Sequence, residues 1–476
     1  MKKLSELYDI KDDRIIKGIK INSKKVKEGD IFVCIMGVKV DRHDYIDEAI
    51  KNGASAIVVS KDNIKRDIPV IKVDDTNKEL PLLCQRFYDY PQNKLIMIGV
   101  TGTDGKTSTT TIIQKLLGLD KAGYIGTNGM SYGKVKRDTD NSTPDATVLY
   151  DLFNEFVENG CTTAVMEATS EAFFRGRLQN LMFDISIITN ITREHLNIHK
   201  TFDNYIECKC MLFKQTKKDG YSILNHDDEL YERVKENCVS KVLTYGKGKD
   251  NDLVIKDFKI FADKTLITYT YKNKDYKVNS PLLGEFNVYN LAAALLACLC
   301  QGYNFNDLIK NLDGVFVDGR MQLLDTKTPY HVMIDYAHTP NGIINLLTFV
   351  HTLNINRSIV VIGSAGERDN LKRHIMGEVV LDNASYAIFT YEDPRSEDPM
   401  DIINDMISTA KEKHDNYEIV VDRREAIRRA VNIAKDNDLV LVLGKGNETY
   451  QKLKDKVIYF NDVEEAYQAV WDRENK

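Results

Sequence analysis

The stretch Leu95–Ser108, LIMIGVTGTDGKTS, holds the residue types that cradle nucleotide phosphates. Gly99, Gly102 and Gly105 are expected to let the backbone turn its N–H groups inward, while Lys106 supplies a point charge and Thr107 a hydroxyl at a helix start. That combination binds phosphates and places one ligand on Mg²⁺. The strict pattern G-x4-G-K-[ST] needs Gly at position 100, which is Val here, so the loop is a variant. Further groups stand at or just after predicted strands: Glu167 ends TTAVMEA, His195 follows ISIITNI, and Asp335 ends the apolar part of YHVMIDYAHTP. Lys209 lies on the next predicted helix, YIECKCMLFK. A carboxylate and a histidine beside a triphosphate suit Mg²⁺ ligation, with Thr107 completing the set.

These groups need a frame that gathers strand ends. A chain of 476 residues exceeds one core and divides into several domains. Residues 1–93 alternate short β-rich runs (DIFVCI, ASAIVV, IPVIKV) with helical stretches, and DYPQNK closes the unit. Residues 94–314 form a second unit, in which strands alternate with helices. That rhythm implies a mainly parallel sheet with its site at the carboxyl ends of the strands. Residues 253–280 break it with paired extended runs that read as an antiparallel meander at one edge. Residues 315–476 form a third unit, with strands in RSIVVIGSAG, ASYAIFTYED, EIVVD and DLVLVLGKG. The expected fold is α/β in three domains: a central phosphate-loop mononucleotide-binding sheet, a smaller N-terminal unit, and a C-terminal doubly wound, Rossmann-like sheet.

Charge excludes other classes. The 65 basic and 71 acidic residues leave −6, interspersed rather than blocked, so neither a nucleic-acid nor a membrane surface is expected. No apolar run reaches the roughly 18 residues of a membrane span, and MKKLSELYDIKDD lacks the apolar core of a signal peptide, so the expected location is cytoplasmic. The eight cysteines read as small hydrophobes. Cys208/Cys210 and Cys298/Cys300 fall in helical patterns, where residues two apart face different directions and do not grip one ion.

The succession GTDGKTS, STPD, MEATSEAFFRGRL, TNITREHLNIHKTFDNYIECKCMLF, LLGEFNVYNLAAAL, GRMQ, IDYAHTP, EDPRSEDP and LGKGNETYQ resembles the Mur ligases, and within them the UDP-N-acetylmuramoyl-tripeptide synthetase type. INSKKVKEGDIFVCIMG with HDYIDEAIKNGA resembles that family's uridine-nucleotide domain. The resemblance implies ATP-dependent amide formation for peptidoglycan. ATP phosphorylates the γ-carboxylate of D-Glu in UDP-MurNAc-L-Ala-D-Glu, and the amine of a diamino acid attacks the acyl phosphate. It implies Thr107 and Glu167 on one Mg²⁺ and His195 on a second. Lys209 matches a lysine carried as a carbamate; an unmodified lysine pairing with phosphate is the alternative. Lys106 is catalytic in this scheme, together with Glu167, His195 and Lys209.

ATP contacts are implied for Gly102, Thr103, Asp104, Gly105, Lys106, Thr107, Ser108, Asn290, Arg320, Asp335 and His338. Ser23, His43 and Asp44 match uridine-diphosphate contacts, and Ser142, Thr143, Ser170 and Arg177 muramoyl-dipeptide contacts. Where the family reads meso-diaminopimelate with D-N-P-R, this chain has Glu392, Asp393, Pro394 and Arg395, with Arg368, Gly444 and Glu448 as further contacts. Arg395 suits a bidentate pair with the distal carboxylate, while Asp393 in place of Asn adds negative charge beside it. Other departures are Asp104 for Asn, Thr169 and Glu171 for Ser and His, NSK for DSR, and Asn447 for His. They leave open the same chemistry with L-lysine or another amino acid, a paralogue with a related acyl acceptor, and a non-catalytic nucleotide-sugar binder. Folylpolyglutamate synthetases share the central architecture but do not account for the N-terminal unit or the EDPR segment. A monomer is expected.

Overall fold

A computed structural model describes residues 1–37, 40–261, 264–312, 314–410 and 412–475. The chain forms two compact units, one of residues 1–257, 268–276 and 289–311, the other of residues 258–267, 277–288 and 312–476.

Within the first unit, strands Gly18–Lys20, Asp30–Val33, Ala56–Val59 and Val70–Lys72 pair in sequence order as a parallel sheet. Its buried Ile31, Val33 and Val58 share a core with Leu80, Leu83 and Phe87 of helix Thr76–Phe87 and with Leu149, Tyr150, Phe153 and Phe156 of helix Ala146–Glu158. The apolar positions of the second helix recur every three or four residues, which gives one continuous stripe. Each large side chain buried there contributes about 2 kcal/mol. A shared core is the reason the N-terminal sheet and the central sheet fall in one unit.

The central sheet runs Val135–Arg137, Gly129–Tyr132, Ala122–Gly126, Thr163–Glu167, Ile96–Thr101, Phe183–Ile188, Thr216–Asn225, Lys241–Gly246 and Leu253–Ile260. Strands from Ala122–Gly126 onward are mutually parallel, as the alternating pattern predicts. Strand Ile96–Thr101 lies between Thr163–Glu167 and Phe183–Ile188, with Glu167 opposite Val100 and Ile188 opposite Thr101. Three carboxyl ends therefore meet where the chain switches sides. The runs expected at 253–280 are strands, the last two being Thr265–Tyr271 and Lys274–Ser280, at the far edge of the order.

In the second unit the sheet order is Gln322–Leu323, His331–Asp335, Leu439–Leu443, Ser358–Ile362, Tyr386–Phe389 and Tyr417–Ile419, parallel except for the first strand. Successive strand residues feed opposite cores. Met333, Val360, Ile362, Leu441 and Leu443 pack with helices Pro340–His351, Arg373–Asn383 and Pro399–Ile407. Val332, Ile334, Ile359, Val361, Val440 and Val442 pack with helices Arg423–Ile433 and Asp462–Glu474. Helices on both faces are the doubly wound arrangement, and strands buried on both sides are why these runs are continuously apolar.

All eight cysteines are free thiols, with the C-x-C pairs on helices Phe202–Lys214 and Glu285–Cys300. No helix among the described residues is long and apolar enough to cross a membrane.

Candidate active site

Gly105 (φ 82°) precedes the 12-residue helix Lys106–Leu117, and no side chain caps that helix, so its first N–H groups stay available to an anion. At Gly102 (φ 147°) a Cβ would lie 1.9 Å from Thr189 Oγ1, and at Gly105 2.4 Å from Asn290 Oδ1. The loop is pinned from behind: Thr103 N donates to Asn190 O at 2.9 Å and Asp104 N to Asn190 Oδ1 at 3.0 Å. Thr103 Oγ1 meets Tyr205 OH at 3.1 Å. Ser108 is buried on the first helical turn. Lys106 folds back, Nζ donating to Gly102 O at 2.9 Å and Thr103 O at 2.7 Å. Gly99 corrects the sequence reading. It lies inside strand Ile96–Thr101, where a Cβ would meet Leu212 and Phe183 at 2.7 and 2.8 Å, so it serves close packing rather than the turn.

Glu167, the last residue of its strand, is fully buried. Its Oε1 accepts from Thr107 Oγ1 at 2.8 Å, Thr127 N at 2.8 Å and Tyr124 OH at 3.3 Å, and its Oε2 from Thr127 Oγ1 at 3.2 Å. Thr107 and Glu167 thus present adjacent hard oxygens at the uncapped helix end, which suits a divalent cation. Thr127, absent from the sequence reading, links this pair outward through Ser142 Oγ at 2.8 Å. Thr143 Oγ1 donates to Glu167 O at 2.7 Å, and Arg177 Nη1 to Thr143 O at 3.0 Å while its Nε faces Asp145 Oδ1 at 2.9 Å. Ser170 Oγ meets His199 Nε2 at 3.1 Å. Ser142, Thr143, Ser170 and Arg177 are therefore gathered around one strand end.

His195 holds a left-handed backbone (φ 55°) before the short helix Leu196–His199, and its side chain is half-exposed. Strain of that kind at a non-glycine residue marks functional positions. Its pKa is lowered, first by desolvation and then by the charges of Lys106 and Lys209, against the raising influence of Glu194. Lys209 is buried, with Nζ donating to Gly102 O at 2.5 Å and standing 4.4 Å over the Tyr205 ring. Burial above all, then the charge of Lys106, drives its amine well below the ordinary lysine range. Asn290 Oδ1 accepts from Thr109 Oγ1 at 3.3 Å behind the loop. Among the described residues no cluster of three His, Cys, Asp or Glu is arranged for a metal.

At the N-terminal sheet His43 is buried, its Nδ1 2.6 Å from Asp41 Oδ1 and its Nε2 accepting from Ser60 N at 3.1 Å. Both ring nitrogens are therefore held within the domain. Lys61, 2.5 Å from Asp41, keeps that carboxyl far below its usual range. Ser23 Oγ donates to Glu48, and Asp44 is exposed beside His43.

In the second unit Asp335 is buried at the end of its strand, accepting from Met321 N at 2.6 Å and Ala337 N at 2.7 Å. Burial raises its pKa, opposed by Arg320, whose guanidinium lies 4.4 Å over the Tyr336 ring. His338 Nδ1 meets Tyr336 O at 2.8 Å. Arg368 is exposed on the loop after strand Ser358–Ile362. Pro394 is buried, and Arg395 is left-handed (φ 54°) with a buried Nε–H that lacks a partner. Gly444 (φ 111°) admits Glu392, whose Oε2 lies 2.8 Å from where a Cβ would stand. Burial pushes the Glu392 carboxyl up to about 7. Lys445 was not singled out from sequence; its Nζ, fully enclosed, donates to Asp393 Oδ1 at 2.9 Å and Glu448 Oε2 at 2.7 Å. Asp393 is consequently a buried, paired carboxylate, not the free charge that the sequence suggested.

Three family descriptions match in order: "Mur ligase family, catalytic domain" over residues 15–90, "Mur ligase middle domain" over 100–298, and "Mur ligase, glutamate ligase domain" over 319–446. UDP-N-acetylmuramoyl-L-alanyl-D-glutamate–2,6-diaminopimelate ligases from Bacillus cereus and Clostridium perfringens are each 38% identical. The first covers 98% of this chain and 96% of its own length, the second 95% and 94%. A solved structure of an enzyme with that name superposes with a TM-score of 0.71 at 28% identity over all of both chains. MurF ligase from Thermotoga maritima, solved with ADP, shares the fold at a TM-score of 0.66 and 20% identity, covering 97% of this chain and 98% of its own. A phosphate loop, a buried carboxylate on its threonine and a three-part α/β architecture thus converge with whole-length similarity, and the chain belongs to the Mur ligase family of ATP-dependent amide ligases.

Proposed function

We propose that this chain joins meso-diaminopimelate to the γ-carboxylate of D-Glu in UDP-N-acetylmuramoyl-L-alanyl-D-glutamate, at the expense of ATP. The observation that carries the choice of amino acid is the pairing of opposite needs around Tyr450. Lys445 Nζ lies 5.3 Å over its ring while bonded to Asp393 and Glu448, and Arg395 N donates to Lys452 O, two residues further on, at 3.0 Å. Arg395 offers a buried N–H with no partner, which suits a carboxylate, and the carboxylates outnumber Lys445, which suits an ammonium. An amino acid whose distal end carries both groups satisfies both. L-Lysine leaves the arginine facing nothing, and such a site rejects the analogue lacking the group by up to about 10⁴-fold.

The chemistry follows from the first unit. A carboxylate is a poor electrophile, so it is activated as an acyl phosphate that the amine then attacks, expelling phosphate. Lys106 and the uncapped helix end draw the triphosphate in and neutralise it as two anions approach. The oxygens of Thr107 and Glu167 would hold one Mg²⁺, and His195 with the carbamate form of Lys209 would hold a second; such ions would neutralise charge on the phosphates. A buried neutral amine is the form that adds CO₂ with loss of a proton, and so Lys209 is suited to a carbamate. Ser23 and Asp44 are suited to the uridine diphosphate, and Ser142, Thr143, Ser170 and Arg177 to the muramoyl dipeptide. Asn290 in the first unit, and Arg320, Asp335 and His338 in the second, are each suited by chemistry to a nucleotide contact. A reaction that draws on ATP and a nucleotide-linked substrate supports a cytoplasmic location.

The test is phosphate release from ATP with UDP-MurNAc-L-Ala-D-Glu, offering meso-diaminopimelate, L-lysine and L-ornithine separately. Release with diaminopimelate alone is expected. Release with lysine at comparable kcat/KM overturns the selector role of Arg395, and release with none of the three overturns the substrate assignment.

A further inference from the structure

Lys445 is the only amine that the carboxylates of Asp393 and Glu448 hold between them among the described hydrogen bonds, and its side chain is entirely enclosed. Asp393 Oδ1 also accepts from Lys452 N at 3.2 Å, which fixes it in place. Arg423, the other cation near Glu392, is already matched by Asp462 through bonds of 2.8 and 2.7 Å. Glu448 differs from Asp393 and Lys445 in reach. Its side chain is 23% exposed, against 6% for Asp393 and none for Lys445, and among the described residues its Oε1 meets only the distant Tyr336 hydroxyl, at 3.5 Å.

We propose that Asp393 is a positioning residue for the incoming amino acid: it takes up the charge of Lys445, so that Glu448 keeps its negative charge for an ammonium group. An asparagine at 393 would hold the lysine by a neutral carbonyl and leave its full charge on Glu448. With aspartate there, lysine and aspartate together present a dipole instead of a net cation, and repulsion of an arriving ammonium falls steeply with distance. The enclosed side chains strengthen the effect because water does not screen them. The inference rests on the reading that a diamino acid is added, and it explains why an aspartate sits where the resemblance leads one to expect asparagine.

Steady-state kinetics on Asp393→Asn and on the double variant Asp393→Asn/Lys445→Met test it, with UDP-MurNAc-L-Ala-D-Glu and ATP saturating. In the single variant KM for meso-diaminopimelate is expected to rise about tenfold, the worth of one charge-assisted hydrogen bond. Turnover at saturation and KM for ATP stay within about twofold of wild type. In the double variant the cation is gone along with its sink, and KM returns to within about threefold of wild type. Thermal unfolding of both variants separates loss of fold from loss of charge. An unchanged KM in the single variant, an equal rise in KM for ATP, or a double variant worse than the single overturns the inference while leaving the function standing. A wild-type chain inert towards every diamino acid overturns the function, and the inference falls with it.

Discussion

Replacing Glu167 by glutamine separates chemistry from folding. The carboxylate is fully buried and accepts from Thr107, Tyr124 and both donors of Thr127. A glutamine oxygen in the Oε1 place keeps three of these donors. Its amide group then faces Thr127 Oγ1, which accepts by turning its own hydrogen toward Ser142 Oγ, 2.8 Å away. What is lost is charge assistance on the two 2.8 Å bonds, about 1 kcal/mol each. Against that stands the relief of a buried anion's desolvation, a term of similar or larger size. Stability of the unliganded protein is therefore expected to change by no more than about 1–2 kcal/mol. The chemistry suffers more: one preorganised electrostatic group at a charged transition state is worth about 10²–10³ in rate, or roughly 3–4 kcal/mol. Two assays read the difference. Coupled ADP release gives kcat/KM, and thermal unfolding with and without magnesium and ATP gives the ligand's stabilisation, about 2.7 kcal/mol at a hundred times Kd. Glu167→Gln should unfold like wild type alone, gain little from the nucleotide, and turn over at least about a hundredfold more slowly. A variant that keeps kcat/KM within about fivefold would falsify the placing of Glu167 at the reacting phosphates.

Two further expectations concern the second unit. Arg423→Met strands a fully buried Asp462 and releases the carbonyl of Leu443, one residue before Gly444, so urea unfolding should show a loss of about 3–5 kcal/mol; a loss below about 1 kcal/mol contradicts the pairing. For Glu392 the folded pKa is raised from 4.5 to about 7, so its contribution to stability is complete below the lower value and is lost as pH rises through the higher one. Wild type should thus lose about 2 kcal/mol relative to Glu392→Gln between about pH 5 and pH 8, and parallel stability curves for the two proteins over that range would show that Glu392 is not held in its neutral form.

The parts legible in sequence are those where a chemical residue closes an apolar run. Glu167 and Asp335 are each the last residue of a buried strand, and the uncapped helix after Gly105 is written in GTDGKTS itself. Gly99 was misread because a glycine demanded by the packing of Leu212 and Phe183 has the same letter as one demanded by a turn. Thr127, Tyr205 and Lys445 escaped notice because what makes them matter lies far along the chain. Thr127 reaches a carboxylate 40 residues away, Tyr205 a loop hydroxyl 102 away, and Lys445 an aspartate 52 away. No local period encodes such partners. The same distance explains Asp393, which looks like an isolated surplus charge until the fold returns a lysine to it.

Lys106 and Lys209 show how one carbonyl organises the whole phosphate site. Both amines donate to Gly102 O, at 2.9 and 2.5 Å, and two ammonium groups that close repel each other strongly where water is scarce. Lys106 is the more exposed of the two, with a route to solvent and to an arriving phosphate. Lys209 is sealed beneath Tyr205, and burial together with its charged neighbour drives its pKa well below the ordinary lysine range. An amine so placed is a poor phosphate ligand, and the carbamate proposed for it would turn a charge that opposes Lys106 into one that attracts it. Burial of a lysine beside another lysine is costly for a static core, and the proposed change in the sign of its charge is a reason for the fold to keep it.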